Sequence, residues 1–123
     1  MKVLKCDICG SVLEVIKDGH GITCCGKEMR ELKANTTDAA TEKHVPVVEV
    51  SGNTVTVKVG EAEHPMTEEH LITTIWLVTT AGVQRKDLTH TDKPEAVFAL
   101  ADGVSAVAAY EYCNLHGLWV KEL

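Results

Sequence analysis

The stretch that decides the fold runs Tyr110-Glu111-Tyr112-Cys113-Asn114-Leu115-His116-Gly117-Leu118-Trp119. It places a thiol and an imidazole three residues apart and follows them with a glycine. Cys113 and His116 can turn toward one metal ion if the backbone between them forms a tight loop, and Gly117 then lets the chain resume a strand. A buried strand cysteine near a histidine gives the same pattern more often, so the stretch has to be weighed with the rest of the chain.

The composition is that of a folded chain with room for one ordinary domain, or a small module and a larger domain. It has 123 residues, 45% of them hydrophobic, and no apolar run near the roughly 18 residues of a membrane span. A net charge of -6 without a basic cluster argues against nucleic acid and anionic membranes as partners. The residues before Cys6 leave no room for the apolar core of a signal peptide, which favours a cytoplasmic location.

The five cysteines indicate metal or redox chemistry, because disulfides are rare in a reducing compartment. Four of them form two glycine-terminated clusters, Cys6-Asp7-Ile8-Cys9-Gly10 and Cys24-Cys25-Gly26. Four thiolates so arranged predict a tetrahedral tetrathiolate site for zinc or iron, distorted by the adjacent pair. A thioredoxin-like redox motif is the alternative, but the segment is too short for the βαβ unit that this motif needs.

The N-terminal module contains one predicted strand, 11–16, and a glycine-rich turn in which His20 is more typical of a solvated residue than of a ligand. Its apolar content is too small for an independent core, so we expect the metal to fold it. Residues 34–41 are small and polar, as in a linker. We therefore expect two domains, 1–36 and 37–123.

The second domain shows the period-two alternation of β-strands. About seven short strands with frequent turns and no convincing helix predict an antiparallel β-sandwich. Asp102-Gly103 predicts a hairpin between two of the strands. The predicted strands are 46–50, 54–59, 71–80, 83–88, 95–100, 104–112 and 117–121.

Four histidines of this domain lie in predicted loops or at strand ends, where sandwiches usually carry their binding sites. They are His44, His64, His70 and His116. His90 also lies in a turn, and spacing alone does not exclude it. From the residues, we predict a metal site that includes Cys113, His116 and two or more of the other histidines.

Together these motifs resemble the desulfoferrodoxin family of two-iron superoxide reductases. The resemblance rests on Cys-x-x-Cys with Cys-Cys-Gly, Glu42-Lys43-His44-Val45-Pro46, His64-Pro65-Met66 with His70, and Cys113-Asn114-Leu115-His116-Gly117-Leu118-Trp119. It implies a small rubredoxin- or desulforedoxin-like metal-knuckle domain. An immunoglobulin-like antiparallel β-sandwich, similar to neelaredoxin, is implied after it.

The resemblance also implies two irons per chain. Carried over residue by residue, it makes Cys6, Cys9, Cys24 and Cys25 the ligands of the first iron, and His44, His64, His70 and His116 the equatorial ligands of the second, with Cys113 axial. Lys43 would attract superoxide and orient a water for proton delivery, and Glu42 would occupy the open position of the ferric ion. The family further implies a homodimer, superoxide as substrate, hydrogen peroxide as product, and an electron donor such as rubredoxin.

Two other functions compete with superoxide reduction. One is a non-catalytic zinc ribbon fused to a sandwich that stores or senses metal, in which the lone Cys113 opposite four histidines has no obvious use. The other is a rubredoxin-like electron carrier, which would leave the second domain unexplained. An iron protein is coloured when oxidised, whereas a zinc protein is colourless. A visible spectrum therefore distinguishes a superoxide reductase from the zinc-binding alternative.

Overall fold

The computed structural model describes residues 1–37 and 43–123, and all regular structure in these two ranges is β-strand. The predicted mainly β architecture is therefore confirmed. The contacts within the chain divide it into two compact units, Met1–Lys33 and Ala34–Leu123. No helix in the described ranges has the length and apolar character to cross a membrane.

The first unit is built from five short strands around a very small core. Strands β1, β2 and β5 form one antiparallel sheet in the order β2-β1-β5, and β3 pairs with β4. Leu4, Cys6 and Met29 form its buried cluster, with Val15, Ile22 and Cys24 partly buried against it, which fits the expectation that this module has little apolar material of its own. The strands are β1 (Lys2–Lys5), β2 (Val12–Val15), β3 (Thr23–Cys24), β4 (Lys27–Glu28) and β5 (Arg30–Glu31).

The second unit is a sandwich of a four-stranded sheet, β12-β11-β8-β9, and a three-stranded sheet, β10-β7-β6. All its strand pairs are antiparallel, as expected for the immunoglobulin-like arrangement. The seven strands agree with the sequence prediction to within two residues at each end. They are β6 (Pro46–Ser51), β7 (Thr54–Val59), β8 (Ile72–Thr79), β9 (Gly82–Asp87), β10 (Glu95–Ala99), β11 (Ala106–Cys113) and β12 (Gly117–Glu122).

The core lies between the two sheets because alternate residues of each strand face inward. Val55, Val57 and Val59 of β7 are at most 1% exposed, and they belong to the same cluster as Ile72, Ile75 and Leu77 of β8. Cys113 belongs to this cluster too and is fully buried at the end of β11. The predicted thiol ligand is thus fixed by the core of the sandwich.

The hairpin predicted at Asp102-Gly103 is wrong. Strand β10 pairs with β7 in the three-stranded sheet, whereas β11 pairs with β8 and β12 in the other sheet. The Asp-Gly turn therefore crosses from one sheet to the other, with the Val104 amide donating to the Ala101 carbonyl at 3.1 Å. A turn signal specifies local backbone geometry, but the strands that pair across it are chosen by their apolar faces.

The predicted linker, residues 34–41, is described only as far as Thr37. Within that part, Asn35 forms a parallel bridge with Trp119, and its amide donates to the Leu118 carbonyl at 2.9 Å. This short backbone contact holds the start of the second unit against β12.

The pairing of β11 with β8 slips next to the predicted thiol ligand. Tyr112 lies opposite Thr74, but Cys113 lies opposite Ile72, so Thr73 is left over as a bulge. Bulges redirect the strand and the side chains next to them and often occur beside functional sites. This one lies where β11 delivers Cys113.

Candidate metal centres

The four cysteines of the first unit come together as predicted, with their sulfur atoms all within 4.8 Å of one another. The Sγ atoms of Cys9 and Cys24 are 3.5 Å apart, and those of Cys24 and Cys25 are 3.9 Å apart. The first knuckle closes through the Gly10 amide, which donates to the Cys6 carbonyl at 2.9 Å. The adjacent pair requires a left-handed backbone at Cys25, with φ 52°. Residues other than glycine rarely adopt this backbone conformation, so it agrees with the expected distortion of the site. These four residues are called the tetrathiolate cluster below.

The knuckle is also tied to the sheet. Asp7 lies inside it and accepts two hydrogen bonds from the Arg30 guanidinium on β5, each 3.0 Å long. This forked interaction with Arg30 lowers the pKa of Asp7, although both side chains are exposed. The ion pair therefore acts mainly by fixing the direction of the knuckle.

The ionisation of the four thiols is unequal. Hydrogen bonding from the Ser11 hydroxyl, at 3.1 Å, is the main cause that lowers the pKa of Cys9 to about 6. Sharing a proton with the Cys9 sulfur raises the pKa of Cys24 to about 12, and the pKa of Cys25 is raised as well. One thiolate thus forms readily, and a cation among the sulfurs is needed to stabilise four.

In the second unit, four imidazole rings form a closed circuit. Centroid separations around it are 4.7 Å from His44 to His64, 4.7 Å from His64 to His70, 5.1 Å from His70 to His116, and 4.9 Å from His116 to His44. Neighbouring rings are inclined by 63° to 83°. Neighbouring rings are therefore steeply inclined and do not stack on one another.

The atoms of this circuit converge on one point. The Nε2 atom of His44 lies 3.1 Å from His64 Nε2 and 3.2 Å from His116 Nδ1. The Sγ atom of Cys113 lies 3.8 Å from both His64 Nε2 and His116 Nδ1. One ligand atom from each of the five residues lies within 4.8 Å of the others. All five residues predicted for the second site are brought together, and they are called the histidine–cysteine cluster below.

These distances fit a metal with imidazole ligands. Two nitrogens bound at about 2.0–2.1 Å and at right angles would be about 3 Å apart, close to the separations seen here. The Nδ1 atom of His64 lies 2.7 Å from the Pro65 carbonyl oxygen, which can only accept, so Nδ1 carries the proton and Nε2 is the nitrogen that can bind a metal. Among the described residues the donor set is four neutral nitrogens and one sulfur, which is suited to a transition metal.

Burial is uneven around the circuit. His44 and His64 are 2% and 3% exposed, whereas His70 is half-buried and His116 is exposed. Cys113 is fully buried. Solvent and small solutes therefore reach the cluster from the side of His70 and His116, while the core closes the side of Cys113.

Two neighbouring side chains that the sequence reasoning did not assign hold the ligands in place. Trp119 stacks on His44 with centroids 4.8 Å apart and an interplanar angle of 15°, and its indole N–H donates to the His116 carbonyl at 3.1 Å. Asn114 accepts a hydrogen bond from the Leu71 amide and donates to the Glu69 carbonyl, both at 2.9 Å. It thereby joins the Cys113–His116 loop to the segment that carries His70.

The other predicted residues lie apart from the two clusters or outside the description. His90, which spacing left open, lies 3.7 Å from the Glu68 carboxylate, and neither it nor His20 belongs to either group of ligands. Lys43 is half-buried and immediately precedes His44. Glu42 lies outside the described residues, so its expected role is untested.

An all-β chain with a tetrathiolate cluster in one unit and a histidine–cysteine cluster in the other is, by its fold and its donor sets, a metalloprotein with two separate centres. The chain belongs to the desulfoferrodoxin family. The family model described as desulfoferrodoxin matches residues 36–122, and the one described as desulfoferrodoxin, N-terminal domain, matches residues 1–32. The predicted resemblance is confirmed.

Two of the relatives match nearly the whole chain, and a third, shorter one matches about two thirds of it. A desulfoferrodoxin from Syntrophotalea carbinolica is 49% identical over 123 residues, covering 99% of this chain and 96% of the relative. The crystal structure of the superoxide reductase from Treponema pallidum has a TM-score of 0.85 and 36% identity over 98% of this chain and 97% of its own. The superoxide reductase (1Fe-SOR) from Giardia intestinalis covers only 68% of this chain and 100% of its own, at 36% identity and a TM-score of 0.56.

Proposed function

We propose that this chain is a superoxide reductase that converts superoxide to hydrogen peroxide by one-electron reduction at the histidine–cysteine cluster. The observation that carries the proposal is the closed circuit of His44, His64, His70 and His116, with the Cys113 sulfur 3.8 Å from two of its nitrogens. Family membership and the superoxide reductases among its structural neighbours support the same activity. The overall reaction consumes one superoxide, one electron and two protons.

We propose that each cluster holds one iron. Cys6, Cys9, Cys24 and Cys25 would bind the first, and His44, His64, His70, His116 and Cys113 the second. Iron held in the second site would supply the electron for superoxide, and the Cys113 thiolate would be the most strongly donating of the five protein ligands. We assign these sites to domains 1–36 and 37–123.

Neutral ligands make the second site attractive to an anion. Four imidazoles add no negative charge, so among the five described ligands only the Cys113 thiolate is anionic, and it is buried on the core side. The exposed side, at His116 and half-buried His70, is where a small anion can approach. This arrangement matters because the chain as a whole has a net charge of -6, which repels superoxide at long range.

Lys43 and Glu42 are proposed as the catalytic side chains. Lys43 immediately precedes buried His44, so its ammonium group is tethered to the site and can attract the anion and orient a water that delivers a proton. Glu42, one residue earlier, would act as a replaceable carboxylate after turnover. Neither role displaces any of the four histidines or Cys113.

We propose that the tetrathiolate centre mainly folds and dimerises its module, because the buried cluster of Leu4, Cys6 and Met29 is too small to do so. Its alternative role is to relay electrons from a donor such as rubredoxin. Turnover of a Cys6→Ser protein with an external donor distinguishes the two: strongly reduced turnover in a protein that is still dimeric would favour the relay.

For the location of the protein we propose the cytoplasm, because five reduced cysteines fit a reducing compartment.

The proposed activity can be tested with prereduced protein mixed anaerobically with a known amount of superoxide. A reductase yields one hydrogen peroxide per superoxide consumed, no dioxygen, and one oxidised second centre. Release of half a dioxygen per superoxide would indicate dismutation instead. Absence of any reaction, together with a colourless protein that contains zinc, would favour the metal-storage or sensing alternative.

A further inference from the structure

Gly60 lies between two of the segments that bring ligands to the second cluster. It follows the last residue of β7, Val59, and begins the connection that carries His64 and His70. Its backbone is left-handed, with φ +81°, a conformation open to glycine and strained for most other residues. The conformation alone would explain a glycine here, but its surroundings impose a second requirement.

A Cβ atom on Gly60 would collide with backbone on both sides. It would lie 2.5 Å from the Lys43 carbonyl oxygen, 2.6 Å from the Ala62 carbonyl oxygen and 2.9 Å from the Lys43 Cβ. Close carbon–oxygen contacts in proteins are about 3.3–3.6 Å. Carbonyl oxygens cannot rotate away as the end of a side chain can, so the Lys43 segment, the Ala62 segment or both would have to move.

These two segments lead directly to ligands. Lys43 is bonded to His44, and Ala62 precedes His64 by two residues. The Nε2 atoms of the two histidines are 3.1 Å apart, a spacing that a displacement of several tenths of an ångström would disturb. Both histidines are almost fully buried, so little free space is available to absorb such a shift by side-chain rotation.

We propose that Gly60 is a positioning residue of the second centre. The missing side chain lets the backbone of Lys43 approach the start of the 60–71 connection, which sets the spacing between His44 and His64 and the place from which Lys43 acts. The proposed effect on the spacing of His44 and His64 rests on the geometry alone. The proposed effect on Lys43 rests on the proposed function.

The chain supplies a matched control for this proposal. Gly103 has the same φ, +81°, but a Cβ there would meet nothing within 4 Å. Replacing either glycine by alanine therefore imposes a similar backbone strain, and only Gly60→Ala adds the collision. Asparagine tolerates a left-handed backbone better than alanine, so Gly60→Asn relieves the strain and keeps the collision.

The test is the retention of iron by full-length protein loaded anaerobically with ferrous iron and then challenged with a chelator. The visible absorption of the tetrathiolate centre serves as an internal reference in each sample. We expect Gly60→Ala and Gly60→Asn to lose iron from the second site at a chelator concentration about tenfold lower than wild type, as is usual when a support of metal ligands is removed. Gly103→Ala should match wild type, and the tetrathiolate spectrum should be unchanged in all variants.

Three results would overturn the proposal. They are equal iron retention in Gly60→Ala and wild type, an equal loss in Gly103→Ala, and rescue of iron retention by Gly60→Asn, which would identify backbone strain as the whole effect. An unfolded sandwich in both Gly60 variants, seen by circular dichroism while Gly103→Ala stays folded, would also count against a local positioning role. Since iron retention is measured without superoxide, these outcomes are independent of whether the wild-type protein is a reductase.

Discussion

The imidazole of His44 lies parallel to the indole of Trp119, with 4.8 Å between centroids and 15° between planes, while the same indole donates its N–H to the carbonyl of His116. One side chain thus restrains two proposed ligands that are 72 residues apart. Stacking fixes the plane of the first ring, and the hydrogen bond fixes the backbone that carries the second. Removal of the Trp119 indole should therefore weaken the restraint on both His44 and His116.

We expect Trp119→Phe to keep much of the stacking and to lose the hydrogen bond, which should cost about 1–3 kcal/mol because the indole is buried. Thermal unfolding should show a lower midpoint, and the second site should lose iron more easily to a chelator. Trp76→Phe is the control: Trp76 is also buried, at 3% exposure, and its Nε1 forms no hydrogen bond within the described ranges. A similar loss of iron in both variants would contradict the role assigned to Trp119.

Asn114→Ala should weaken the connection between the Cys113–His116 loop and the segment before His70. The substitution removes two side-chain hydrogen bonds to backbone groups of Leu71 and Glu69, and we expect a loss of about 1–3 kcal/mol in unfolding free energy. Chelator sensitivity of the second iron should increase. Asn53→Ala removes an exposed hydrogen bond to Asp102 in a turn and should leave the iron unaffected.

Cys113→Ser should abolish the thiolate-to-iron absorption of the second centre and leave that of the tetrathiolate centre intact. Serine is close to cysteine in size, so the fully buried position should stay packed while the strong electron donor is lost. Visible spectra of the oxidised proteins provide the measurement. Cys9→Ser should have the reciprocal effect, and survival of the second absorption in Cys113→Ser would show that Cys113 is not a ligand.

Lys43→Ala should slow the association of superoxide without changing the visible spectrum of either centre. Removing one positive charge beside the site should reduce the second-order rate constant by about tenfold at low ionic strength, with a smaller effect at high salt. Lys58→Ala changes the net charge equally at an exposed position paired with Glu49 at 3.8 Å. If both variants associate equally slowly with superoxide at low salt, Lys43 acts only through the net charge of the protein and not through a local attraction at the site.

In metal-free protein whose N-terminal unit keeps its fold, as checked by circular dichroism, Cys9 should be the first thiol of that unit to react with an alkylating reagent as the pH is raised. Its pKa is lowered to about 6, so the thiolate is lost as the pH falls through 6 and is largely formed at pH 7, whereas Cys24, with a pKa raised to about 12, stays protonated. Mass spectrometry after brief alkylation at several pH values shows the order in which the thiols react. Ser11→Ala should raise the pH at which Cys9 reacts, since the hydroxyl is the main cause of the shift.

Much of the fold and of the candidate site could be predicted because the relevant signals are local. Alternating apolar residues indicated the seven strands, and glycine-terminated cysteine pairs indicated the first cluster. The full ligand set of the second cluster needed the family resemblance, since His90 occupies the same kind of turn as the ligands and only the structure places it outside the cluster, beside Glu68.

What could not be predicted depends on contacts between distant segments. The turn at Asp102-Gly103 looks like a hairpin locally, and only the pairing of β10 with β7 shows that it crosses between sheets. The bulge at Thr73, opposite the end of β11, arises from the register of β11 with β8, and the support from Asn114 arises from the approach of residues 69–71. No property of the single residues carries this information.

The two clusters differ in the length of chain that each requires, and this sets the order in which a newly made chain can acquire metal. The four ligands of the first are all available once Cys25 has left the ribosome, and metal can fold the small module by itself once residues up to Lys33 have followed. The second draws on segments from His44 to His116, so it stays open until β12 has been synthesised and the two sheets have closed. Loading of the catalytic site is therefore a late event in biosynthesis, and a chain halted within β11 would carry the first metal alone.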